Sequence, residues 1–199
     1  YIPVSFSAIA GRSTYKFYDP ERKTPIHPWH VNNNAVFEDV GQWKRPWYFK
    51  KHDGETMYEA VQRESKQVRR TAGILDGTTL GKIEIKGKDA LTFMNLVYTN
   101  DFSKTKSMSG KYALMLGEDG MVKDDGIVCK INDQHFIATT TTGGAMNVLS
   151  HMEEYAQTEW PNLDVYMNSV TEQFATFNIS GPKSRIIMSR VFSNIDFSN

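Results

Sequence analysis

The sequence predicts an α+β fold, mostly antiparallel sheets with flanking helices. Three observations lead there. Short alternating runs come in neighbouring groups joined by tight turns, as in residues 112–116 and 121–130 either side of GEDG. Runs with helical spacing separate these groups instead of following every strand, which is not the rhythm of a doubly wound sheet. No internal repeat or low-complexity tract interrupts the pattern.

The elements follow in order. Residues 1–55 hold five of the seven prolines and three of the four tryptophans. Prolines at 20, 25, 28 and 46 would break any long element. Phe17, Tyr18, Trp29, Phe37, Trp43, Trp47, Tyr48 and Phe49 are too many large rings for a disordered tail. The expectation is an extended linker arm that packs its rings onto something. Regularity starts near Gly54. Residues 56–71 place Met57, Ala60, Val61 and Val68 at helical spacing among charges, an amphipathic helix that Gly73 ends. Residues 79–86 alternate as a strand, and 88–98 read as a short helix. Two strands flank GEDG; Asn132 and Asp133 then turn the chain into a strand over 135–142. Gly143 and Gly144 open a helix over 145–158. Strands are expected near 163–167 and at 173–179, and Gly181-Pro182 starts a last helix over 183–191. Residues 56–199 thus read as one folded region. Its last segment, FSNIDFSN, begins a new loop, as a piece of a larger protein would.

Composition narrows the function. The 199 residues carry 23 Lys+Arg and 23 Asp+Glu, a balance that argues against nucleic acid or an anionic membrane as main partner. One cysteine, Cys129, excludes an internal disulfide framework and a cysteine-based zinc site. No stretch approaches the roughly 20 apolar residues of a membrane span, and no signal pattern opens the chain. A soluble, cytoplasmic chain is the expectation.

The clearest local signal is GEDGMVKDDGIV, residues 117–128. Asp124 and Asp125 stand side by side in a strand-like run, where aspartate is disfavoured. Neighbours in a strand point to opposite faces, so one of them should face inward. A buried carboxylate must be paired, hydrogen-bonded or protonated, which makes a candidate base or an acceptor for a ligand's N–H. A solvated acid on an edge strand is the plainer account. In TTTTGG, residues 139–144, hydroxyls and N–H groups at a helix start could hold an anion or a polar ring, or Thr142 could simply cap the helix. Neither a Walker loop nor a G-x-G-x-x-G fingerprint occurs. His27 and His30 have Pro28 and Trp29 between them and no third ligand near, so no metal site is expected. Cys129 reads as a small buried hydrophobe, and Lys66, Arg69 and Arg70 as a solvated helix face.

A set of strings then stands out: TPIHPWH, AVFEDVGQWKRPWYF, GILDGTTLGKIEIKG, YTND, GKYALMLGEDGMVKDDGIV, HFIATTTTGGA, QTEWP and ISGPKSR. Together they resemble the C-terminal region of the α subunits of heterotetrameric sarcosine oxidases. That region is part of the folate-binding family of the glycine-cleavage aminomethyltransferase, the T-protein. The resemblance covers essentially the whole chain. It implies the N-terminal part of the aminomethyltransferase folate-binding fold and tetrahydrofolate as its cofactor. FAD, FMN and NAD belong to the rest of the complex, and the β, γ and δ subunits are the implied partners. Sarcosine would be oxidised at a flavin on the β subunit. The resulting imine would yield its one-carbon unit to folate as 5,10-methylenetetrahydrofolate.

Residue by residue, the resemblance gives Asp125 the essential carboxylate and makes Asp124 structural. Tyr112 aligns with a residue beside the pterin, where an aromatic ring can stack. Thr141 aligns with a polar strand-end residue near that ring, where relatives typically carry Asn. Trp47 and Tyr48 match a segment bordering the folate pocket. The family's glutamate and arginine that hold the pterin and the folate tail lie beyond Asn199, so the 199 residues by themselves are expected to bind tetrahydrofolate weakly or not at all and to be inactive alone. The alternatives are a stand-alone aminomethyltransferase, a dimethylglycine or sulfonium demethylase, a folate-binding regulatory protein and a purely structural subunit-interaction domain.

Overall fold

The computed structural model describes Gly11 and residues 17–197; the first stretch of the expected arm, in residues 1–10 and 12–16, lies outside them, as do 198 and 199. Helix α1 (His27–Asn32), strands β1 (Ala35–Val40) and β2 (Trp43–Phe49), helix α2 (Met57–Arg70) and strand β3 (Gly73–Asp76) come first. Then follow β4 (Gly81–Lys86), α3 (Ala90–Val97), β5 (Ser109–Leu116), β6 (Val122–Asn132), β7 (His135–Thr140), α4 (Ala145–Thr158) and β8 (Tyr166–Ser169). Strand β9 (Phe177–Ser180) and helix α5 (Ser184–Val191) close the order. The pairs between these strands are all antiparallel, as an α+β fold requires. Two compact units result: the described residues up to Gly77 with those from Ala175, and Thr78–Phe174.

In the first unit, residues 27–49 form a helix and a hairpin where an extended arm is expected. The prolines mislead because each sits where a regular element tolerates it. Pro28 lies in the first turn of α1, which needs no N–H from it. Pro46 lies in β2, which pairs with a strand on one side only and on the other meets just an isolated bridge from Arg22 at Trp43, away from Pro46. Val36 faces Tyr48 and Phe37 faces Pro46, so Trp47 is the extra residue of a β-bulge. Gly41 takes a φ of +57° in the two-residue turn, a conformation that favours glycine. Because the bulge shifts the alternation by one residue, both Trp43 and Tyr48 are buried while Trp47 stays half exposed.

Helix α2 starts at the expected place. Thr56 and Glu59 exchange side-chain and backbone hydrogen bonds in a capping box. Just before it, buried Glu55 accepts from Arg63 Nε at 2.8 Å and from the Lys51 N–H at 2.6 Å. Strand β3 has no counterpart in the sequence reading, where Gly73 simply ends a helix. Its partner β9 is far along the chain, and Ile74 and Leu75 are both more than half exposed, so no alternation betrays it. Asp76, at the end of β3, meets His30 Nε2 at 2.8 Å, both side chains buried.

The second unit is a five-stranded sheet in the order β5-β6-β7-β4-β8. Alternation sends Ile83, Ile85, Ala113, Met115, Val128, Phe136 and Ala138 to one face. Phe93, Met94 and Val97 of α3, with Val148 and Met152 of α4, complete the core there. Each of the larger side chains contributes about 1.5–3 kcal/mol by leaving water. The last strands sit a few residues later than expected. Thr171–Gln173, which overlaps the expected strand over 173–179 only at Gln173, forms a 3-10 turn. Strand β6 is internal in the sheet order, although its ladder with β7 begins only at Val128 and leaves Asp124 and Asp125 without a strand partner on that side.

The Glu55–Arg63 contact carries a pH signature. Hydrogen bonds from Arg63 and from the Lys51 N–H bring the Glu55 carboxyl from its ordinary 4.5 down to about 2. A lowered folded-state value stabilises fully above the unfolded value and is lost as pH falls through the folded one. Urea unfolding should therefore show Glu55→Gln less stable than the parent at pH 7. The gap should narrow between pH 4.5 and about 2. A gap independent of pH would show that the carboxylate charge does not matter there.

Candidate functional site

The face of the second unit's sheet opposite its core carries the cluster of interest. Tyr112 and Leu114 on β5 lie across from Ile127 and Asp125 on β6. The Tyr112 hydroxyl reaches diagonally and donates to Asp125 Oδ2 at 2.6 Å. That bond to a carboxylate pushes the Tyr112 phenol above its ordinary value. Tyr112 is 58% exposed and Ile127 43%, so a flat ring could lie against them with the carboxylate at its edge.

Backbone pairing explains why these side chains come so close. The carbonyls of Tyr112 and Leu114 point away from β6: the first accepts from Asn100 Nδ2 at 3.0 Å, the second from the Thr99 N–H at 3.1 Å. Their pairs with Ile127 and Asp125 are therefore the narrow, non-hydrogen-bonded kind. On the other side, the β6–β7 ladder stops at Val128 and Ala138. Past it, the Thr139 hydroxyl accepts from the Ile127 N–H at 2.7 Å and donates to the Ile127 carbonyl at 3.1 Å. Gly126 permits this approach, because a Cβ there would overlap the Thr139 carbonyl.

Asp124 points the other way and is 6% exposed. Its Oδ1 accepts from the Asp125 N–H at 2.8 Å and from the Thr141 N–H at 3.2 Å; its Oδ2 accepts from Thr141 Oγ1 at 3.3 Å. Thr141 Oγ1 in turn accepts from the Gly144 N–H at 3.1 Å. So Thr141 is occupied in joining Asp124 to the start of α4. Thr142 does not cap that helix; its hydroxyl meets that of Thr79 at 3.0 Å. Burial, and then the charge of Asp124, push the Tyr98 phenol upward.

The structure thus brings Tyr112 and Asp125 into contact and places Thr141 on Asp124. Trp47 and Tyr48 belong to the first unit. Tyr48 is buried in the hairpin, while Trp47 lines an apolar cleft of about 540 Å³ with Trp29, Phe49, Leu75 and Phe177. Asn100 and Thr99 escape the sequence reading as site residues, while Thr139, within the TTTTGG run singled out there, turns its hydroxyl to the Ile127 backbone. The YTND string is the only signal for the first two. Among the described residues no group of three or more His, Cys, Asp and Glu could hold a metal, and no helix is long and apolar enough to cross a membrane.

Glycine supplies a check on this arrangement. A Cβ at Gly144 would overlap the Asp124 carboxylate, whereas one at Gly143 meets nothing within 4 Å. Gly144→Ala should cost about 1–3 kcal/mol in urea unfolding, and Gly143→Ala no more than about 0.5. Equal losses would mean that the Asp124 clip does not constrain the turn.

Comparison with known proteins places the chain. The pattern of the GCVT N-terminal domain family matches residues 26–199. The chain is 53% identical over 199 residues to a sarcosine oxidase subunit alpha of Corynebacterium sp. (strain U-96), covering 100% of this chain and 20% of that subunit. It is 44% identical over 191 residues to the subunit alpha of Rhizobium meliloti (strain 1021), covering 96% of this chain and 19% of that one. The chain thus spans about a fifth of these relatives' length. It is 31% identical to an aminomethyltransferase of Chlorobium phaeovibrioides, covering 88% of this chain and 45% of that protein. Among solved structures, the glycine cleavage system aminomethyltransferase T of Bartonella henselae superposes with a TM-score of 0.74 at 18% identity. That match covers 88% of this chain and 46% of the other, and it shows a shared fold.

Proposed function

The chain belongs to the GCVT N-terminal domain family, and on that premise we propose that it is part of a sarcosine oxidase α subunit whose Tyr112–Asp125 face binds reduced folate. In this reading the one-carbon unit of oxidised sarcosine is captured there as 5,10-methylenetetrahydrofolate. Identity of 53% along the whole chain supports the sarcosine oxidase assignment over a stand-alone aminomethyltransferase. The observation that carries the site is the Tyr112–Asp125 contact: an aromatic ring and a carboxylate side by side on an uncovered sheet face.

Reduced folate, when bound, supplies the amine nitrogen that takes up the one-carbon unit. The residues of this chain fit that task. Tyr112 and Ile127 offer a surface for the flat ring. Asp125 can accept the proton that leaves the nitrogen as its new bond to carbon forms, or can balance the positive charge that develops before it leaves. The Tyr112 phenol donates to one carboxylate oxygen and so orients the other. Trp47, exposed on its hairpin, is proposed to border the bound folate, and Thr141 to act through Asp124. The β, γ and δ subunits would be the partners, FAD, FMN and NAD would reside outside this region, and the complex would work in the cytoplasm.

The test is Asp125→Ala in the full-length protein assembled with its partners. Sarcosine oxidation should persist, while methylenetetrahydrofolate formation falls roughly 100-fold or more, the usual scale of acid–base catalysis. Undiminished folate product would refute the role given to Asp125.

A further inference from the structure

Strand β5 has β6 on one side and forms the edge of the sheet on the other. An edge strand normally offers its outward N–H and C=O groups to water. Here the outward carbonyls of Tyr112 and Leu114 do something else. Asn100 Nδ2 donates to the first at 3.0 Å. The Thr99 N–H donates to the second at 3.1 Å, joined by Thr99 Oγ1 at 3.3 Å. The segment that makes these bonds is itself fixed at both ends. Tyr98 and Phe102 flank it, 7% and 0% exposed, with ring centroids 6.0 Å apart edge to face. The Phe102 N–H donates to Asn95 Oδ1 at 2.8 Å, and the Phe102 carbonyl accepts from buried Lys130 Nζ at 3.0 Å. Thr99 and Asn100 therefore form a short rigid arch between two buried rings, facing the strand that carries Tyr112.

We propose that Asn100, with Thr99 beside it, is a positioning residue for the Tyr112–Asp125 pair. By fastening the outward carbonyls of β5, it holds the phenol at hydrogen-bond distance from the carboxylate. The chemistry suits asparagine. Its amide is short, neutral and a donor, so it can bond a carbonyl from a nearby loop without bringing a charge towards Asp125. Leucine at this position has a similar size, no charge and no donor. The consequence for one-carbon capture rests on the folate reading above; the positioning of the phenol does not.

The experiment follows the Tyr112 phenol itself, by NMR of the chain labelled with 13C at the tyrosine ring carbon that bears the hydroxyl. Tyr112→Phe identifies the signal among nine tyrosines. In the parent chain the signal should titrate above the ordinary tyrosine value of about 10, because the phenol donates to Asp125. Asn100→Ala and Asn100→Leu, neither of which adds a charge, should each lower that inflection by roughly half a pH unit or more as the bond to Asp125 loosens. Thr99→Val, which keeps the backbone donor, should lower it less. A general loss of stability would not move one phenol selectively while the other tyrosine signals stay in place. An unmoved inflection in folded Asn100→Leu would overturn the proposal. No folate is present in this titration, so its outcome stands apart from the folate reading. In the full-length protein, Asn100→Ala should also slow methylenetetrahydrofolate formation about tenfold to a hundredfold, with sarcosine oxidation retained.

Discussion

The arrangement of the second unit turns on one buried carboxylate. Asp124 sits at the end of the core face of β6, where an unsatisfied anion would be untenable. It is satisfied almost entirely by backbone, through the N–H groups of Asp125 and Thr141, with the Thr141 hydroxyl as a third donor. Two consequences follow from geometry alone. The start of α4 is pinned against β6, which leaves no room for a side chain at Gly144. And because strand neighbours point to opposite faces, burying Asp124 turns Asp125 outward, onto the face that Tyr112 occupies. A shift of register by one residue would put Asp124 on the outer face and bury Asp125 in its place.

From that point the face is assembled by side chains that replace missing ladder bonds. Strand β6 has a full partner in β5, but its ladder with β7 ends before Ile127. The Thr139 hydroxyl takes over both backbone groups of Ile127, and Asp124 takes the N–H of Asp125. Across β5, Thr99 and Asn100 do the equivalent for Leu114 and Tyr112. The narrow pairs between the two strands are thus fastened from both flanks. A surface that must meet a ligand with fixed geometry benefits from such support, since every loosely held side chain costs ordering entropy on binding.

Much of this was legible in the sequence, and what was not has identifiable causes. The helix over residues 145–158 and the strands around GEDG showed their periods directly, because each has one face in the core; the helix over residues 57–70 showed its period too, although only Ala60 of it is buried. The paired acids announced the site, since two aspartates inside a strand have to be explained. Strand β3 did not show itself, because its order comes from a remote partner and both Ile74 and Leu75 remain exposed. Nor did the hairpin over residues 35–49, because proline marks breaks in sequence while a first helical turn and a bulged two-stranded sheet accept it. The support given by Thr99, Asn100 and Thr139 is a matter of which carbonyl faces outward. Composition and spacing carry no trace of that.

The choice of partner for Asp125 also bears on its chemistry. A lysine or arginine at 2.6 Å would have made an ion pair, satisfied the charge and left a carboxylate suited to structure. A phenol at that distance donates one hydrogen bond to Oδ2 and brings no positive charge. Among the described residues no other side chain hydrogen-bonds the Asp125 carboxylate, which is half-buried. Contrast Glu55, which is clasped by Arg63 and a backbone N–H and held down to about 2. One acid is locked as a permanent anion inside a structural joint; the other is oriented but left open. The second is the environment that a proton acceptor at a ligand's edge requires.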